Sequence, residues 1–64
     1  MDRIIERIEK ALSELDLGIS RERFSADFVG SLNQALREVG GSQVSSMEDE
    51  GALLRAMITL EGAV

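Results

Sequence analysis

With 64 residues and a formal net charge of −5, the chain has the length of one small domain, and a chain this short buries only about 60% of the surface its unfolded form exposes. It contains no cysteine for a disulfide and no histidine or cysteine for a zinc site, so association with a copy of itself or with a protein partner is the device left to complete so small a scaffold. Seven basic residues dispersed among twelve acids argue against direct nucleic-acid binding, which needs clustered Lys and Arg; no apolar run approaches the ~18 residues that span a bilayer.

The first ten residues, MDRIIERIEK, interleave charged and apolar side chains and offer no continuous apolar segment for a signal peptide; a cytoplasmic location is the expectation. Met1, Ile5, Ile8, Leu12, Leu15 and Ile19 recur at alternating spacings of four and three and form one stripe of a helix, widened by Ile4 and Ala11. Charged and polar residues fill the opposite face. Gly18 can take the left-handed conformation that ends a helix, with Ile19 supplying the apolar contact that follows such a cap. The spacing predicts a helix over residues 2–17.

Ser20 suits the N-cap of a second helix over residues 21–39, with Glu22 in its first turn against the positive end of the dipole. Phe24, Phe28, Val29, Leu32, Ala35, Leu36 and Val39 give it a broad apolar stripe holding both aromatics of the chain. Gly30 lies inside this pattern, and with Ala26 it forms a small-residue notch that another backbone could approach closely.

The stretch LREVGG, residues 36–41, then interrupts the helical pattern. It resembles the double-glycine leader of exported or modified bacterial peptides, although Leu36 and Val39 stand one position nearer to the glycines than the apolar pair of that motif. The resemblance implies a precursor peptide with residues 1–41 as leader and residues 42–64 as the substrate of a processing or tailoring enzyme. In the purely structural reading, Gly40 closes the second helix in a left-handed conformation and Gly41 gives the slack for chain reversal.

A third helix is expected over residues 46–61. Ser45 and Glu48 match the spacing of a capping box, and Glu48, Asp49 and Glu50 crowd the first turn, where they favour the helix dipole. This acidic run lacks the alternating ligand spacing of a calcium loop, so no metal site is assigned. The segment ALLRAMITLEGAV, residues 52–64, is apolar nearly all round, which calls for burial on several sides. Within it, Met57–Leu60 could also be read as a strand.

These elements amount to an all-α fold in a single domain, residues 1–64: a helical hairpin plus a third helix, completed by oligomerisation or a partner. Catalysis is not expected, because the chain has no His, Cys or Tyr and its carboxylates sit on exposed helix faces. No cofactor is expected, since the Gly-Gly pair follows a helix and lacks the lysine of a phosphate-binding loop. The composition instead points to a small acidic interaction protein, such as a docking module, regulatory subunit or inhibitor. Its expected contact residues are Leu53, Leu54, Met57, Ile58 and Leu60, followed by the Ile5, Ile8, Leu12 and Leu15 stripe. The alternatives are the precursor peptide and an acidic inhibitor that mimics nucleic acid.

Overall fold

The computed structural model describes residues 2–64, which form four helices: α1 (Asp2–Leu15), α2 (Arg21–Ala26), α3 (Phe28–Val39) and α4 (Glu50–Ala63). α1 packs chiefly on α4, α4 also packs on α3, and α2 rests on α3. No strand occurs among the described residues, and Met57–Leu60 is helical.

α1 ends two residues before the expected boundary because Asp16 turns to a φ of 51°, a left-handed conformation that Asp tolerates better than most residues. Gly18 follows with a φ of 77° inside the turn. Ser20 then caps α2 as its sequence position suggests, its hydroxyl accepting the Arg23 N–H at 3.1 Å.

The expected second helix is broken in two at Asp27. This residue leaves the helical region, with φ −144° and ψ 82°, and its carboxylate accepts the Gly30 N–H at 3.0 Å as the N-cap of α3. Its own N–H still donates to the Arg23 carbonyl at 2.9 Å, which closes α2. Asp27 thus satisfies one helix end with its backbone and the next with its side chain. Across the break the Phe24 and Phe28 rings stay paired, their centroids 4.6 Å apart and tilted by 44°. The buried Ser31 hydroxyl donates to the Arg23 carbonyl and ties the two short helices together.

Gly30 has a local reason. A Cβ at this position would collide with the Asp27 carboxylate that caps the helix. The space beside Gly30 is therefore taken by the chain's own cap.

α4 begins at Glu50, four residues after the expected start at 46. The Ser45–Glu48 capping box does not form; the Ser46 hydroxyl accepts the Glu48 N–H at 3.1 Å in a tight turn, and Asp49 is the N-cap, its carboxylate accepting from Ala52 N–H at 3.1 Å. Two strong local acceptors thus compete with Ser45, and the one adjoining the apolar run starts the helix.

One core cluster joins Ile8 and Ala11 of α1, Phe24 of α2, Leu32, Ala35 and Leu36 of α3, and Leu53, Ala56, Met57 and Leu60 of α4. Val44 joins it from the connection before α4, while Leu12, Leu15, Leu17, Ile19, Phe28 and Val39 pack around it partly buried.

The cap at Asp27 gives a sharp prediction. An Ala in an exposed helix interior is normally better than Gly by about 0.5–1 kcal/mol, yet Gly30→Ala is expected to destabilise the protein by displacing the carboxylate. Asp27→Ala alone is expected to cost ~1 kcal/mol. In the Asp27→Ala background, Gly30→Ala should turn neutral or stabilising, a coupling that urea unfolding of the two single variants and the double variant measures directly.

Candidate interaction surface

α4 carries apolar side chains that its neighbours leave uncovered. Side chains on a helix advance by about 100° per residue, which places Leu53, Ala56, Met57 and Leu60 together on the buried side. Gly51, Ile58 and Gly62 fall on the opposite side, with Leu54 and Arg55 flanking them. Leu54 remains 44% exposed and Ile58 61% exposed, as does Val64 at the end of the chain at 60%.

The nine residues expected to make contacts therefore separate. Leu53, Met57, Leu60 and Ile8 lie in the chain's own core, Leu12 and Leu15 pack partly buried against it, and Ile5 is half-buried. Only Leu54 and Ile58 stand free on the surface. α1 and α3 can cover only one side of α4, so a helix apolar all round is left with an outer face.

Two glycines border that face without steric cause. A Cβ at Gly62 would meet nothing within 4 Å, and one at Gly51 would only touch the Asp49 carboxylate at an ordinary 3.6 Å. Both lie in the terminal turns of α4, where a glycine costs less than the roughly 0.5–1 kcal/mol relative to Ala of a helix interior. Nothing inside the monomer requires either.

The edge of α4 toward α1 is marked by a bidentate ion pair. Arg7 donates from Nε and Nη2 to the Glu61 carboxylate at 2.8 and 2.7 Å. The hydrogen bonds to Glu61, then its charge, raise the Arg7 pKa above the ordinary guanidinium range. Arg7 is exposed and Glu61 partly so, and an ion pair at such a surface adds little stability.

The Gly40–Gly41 stretch is built into the fold. Gly40 has a φ of 76°, its N–H reaches the Arg37 carbonyl at 3.4 Å, and the Gly41 N–H reaches the Leu36 carbonyl at 2.7 Å. This is the paired pattern of a Schellman cap. A Cβ on Gly41 would lie 2.9 Å from a Leu36 methyl and 3.0 Å from the Thr59 methyl, so Gly41 marks the close passage of the chain between α3 and α4. Downstream, the Asn33 amide donates to the Val44 carbonyl and accepts the Val44 N–H, both at 2.7 Å.

Asn33 carries no signal in the sequence, because its partner lies eleven residues away in a polar stretch.

An open groove of about 590 Å³ runs beside the C-terminal half of α1. Leu12, Ile19 and Phe24 form its apolar lining, and its rim mixes Glu6, Glu9 and Glu14 with Lys10 and Arg21. The lining contains serines but no imidazole or thiol to activate one. Among the described residues no trio of acidic or other metal-binding side chains converges, and no buried side-chain polar atom lacks a partner. Among the described residues no helix is long and apolar enough to cross a membrane. Comparison with protein-family models, curated proteins and solved structures finds no match to this chain.

The division of α4 predicts opposite outcomes for two neighbouring truncations. Leu53→Ala should cost about 2–5 kcal/mol, a large part of the roughly 3–10 kcal/mol expected for a domain this size at ~0.05–0.15 kcal/mol per residue. Ile58→Ala should change monomer stability by less than ~0.5 kcal/mol. Thermal melts of the two variants, followed by far-UV circular dichroism, give the comparison.

Proposed function

We propose that this protein is a small non-enzymatic docking module that presents the outer face of α4 to another protein surface. The observation that carries the reading is the outward placement of Leu54 and Ile58 on a helix whose opposite side already completes the core. Two branched apolar side chains one turn apart are the usual unit of helix recognition. Flanking glycines leave the partner's backbone room to come close.

Chemistry elsewhere on the chain supports a binding role over a catalytic one. The groove beside α1 offers mixed charge but no nucleophile paired with a base. The contribution of Val44, Leu53, Ala56, Met57 and Leu60 to the core also favours docking over the precursor reading, since release of residues 42–64 would take away five of the eleven residues of that core.

Parallel capture from cells of the source organism tests the proposal, with wild-type protein, Ile58→Asp and Glu38→Lys as baits. Ile58→Asp places a charge in the face and should lose the specific partner, while Glu38→Lys, on the exposed surface of α3, should retain it. Equal recovery with all three folded baits would reject the α4 face as the docking surface.

A further inference from the structure

Apart from the α4 face, we infer that residues 19–26, the six-residue α2 with Ile19 and Ser20 before it, form a hinged flap that lifts off the other three helices as a unit and opens the groove beside α1. Few contacts hold the segment down. Phe24 is the buried residue of α2, whereas Arg21, Glu22, Arg23, Ser25 and Ala26 are all exposed. Ile19 packs partly buried against the core, and the Phe24 ring pairs with that of Phe28. To these the Ser31 hydroxyl adds one hydrogen bond, to the Arg23 carbonyl at a long 3.4 Å.

Both ends of the segment stand where the backbone leaves the helical region. Asp16 and Gly18 take φ values of 51° and 77° before it, and Asp27 turns to φ −144° and ψ 82° after it. The hydrogen bonds divide at the same places. Ser20 accepts the Arg23 N–H on its hydroxyl and the Phe24 N–H on its carbonyl, and the Asp27 N–H closes on Arg23, so the bonds of α2 stay within residues 20–27. The Asp27 carboxylate, by contrast, caps α3. Lifting α2 therefore leaves α3 capped, and the packing of α4 on α1 and α3 and the Asn33–Val44 bonds use no residue of the flap. Proteins open locally along such divisions, where buried contacts are few and backbone hydrogen bonds lie near solvent.

The flap is one wall of the groove. Ile19, Ser20, Arg21 and Phe24 line it from this side, and Leu12 and Ser13 of α1 from the other. Phe24 also belongs to the core cluster, so its ring is the boundary between groove and core. Lifting withdraws that ring and deepens the groove toward Ser31, which lies against Arg23 and is 1% exposed. Burial of Phe24 makes the closed form the ground state. The open form is a minor state reached with α1, α3 and α4 still packed.

Native-state amide exchange of the wild-type chain, over a series of urea concentrations below the unfolding transition, reads the opening. The Phe24 and Asp27 N–H groups donate to the Ser20 and Arg23 carbonyls and should exchange roughly tenfold or more faster than the interior amides of Leu36 and Leu60, with a weaker urea dependence. Exit of Phe24 is read from a thiol placed under α2. The protein has no cysteine of its own, so Ser31→Cys and Ala35→Cys each give one buried reporter, the first against α2 and the second one turn further along α3. Scaled by the stability of each variant, labelling by a thiol reagent should be roughly tenfold or more faster for Ser31→Cys than for Ala35→Cys. Amides of α2 that share the rate and urea dependence of Leu36 and Leu60 would overturn the inference. Equal labelling of the two thiols would overturn it as well, since α2 would then only fray in place. If Ser31→Cys fails to fold, the wild-type amides decide alone.

Discussion

Asn33 spends both ends of its amide on a single residue, donating to the Val44 carbonyl and accepting the Val44 N–H. In effect it gives one turn of loop backbone the pairing that a neighbouring strand would supply. The rest of the structure depends on this clamp and on the reversal that precedes it. Without a fixed path from α3, the apolar α4 has no defined side to turn toward α1. Gly40 supplies the left-handed step, and Gly41 lets the chain pass Leu36 and Thr59 at close range. Val44 is then held in the core, and the Asp49 cap starts α4 where Leu53, Ala56, Met57 and Leu60 meet the other helices.

Both of the paired glycines have a structural part in this route. They are positioned by hydrogen bonds at the end of α3; Gly40 lacks a side chain because its φ is 76°, and Gly41 because Leu36 and Thr59 lie close against it. The following segment is anchored as well, although Ser42, Gln43 and Ser45 face solvent. A connection of this kind fixes the direction of α4, and direction decides which of its apolar side chains remain outside.

The helical class, the stripe of α1 and the caps at Ser20 and Gly40 were legible in the residues, since each is a local signal read within a turn of chain. The break at Asp27 was hidden because Phe24 and Phe28 keep the helical spacing across it, while a capping aspartate inside such a stripe looks like any polar residue. The start of α4 was ambiguous among Ser45, Ser46 and Asp49, three neighbouring acceptors each able to bind a free N–H. Which side of α4 faces outward could not be read at all. Periodicity needs contrast, and a helix apolar all round provides none; the separation of Leu53 from Leu54 and of Met57 from Ile58 came only from the packing.

Backbone amide hydrogen exchange tests the central claim, that residues 40–49 are a fixed structural connection which orients α4. The Val44 and Gly41 N–H groups donate to Asn33 and Leu36, and both should be protected to a degree comparable with the interior amides of α3. The exposed Ser42 amide serves as the internal reference for a freely exchanging position. Substituting Asn33→Ala should release Val44 and loosen protection across α4. Exchange of Val44 and Gly41 at the rate of an unstructured peptide in the folded wild-type protein would contradict the account.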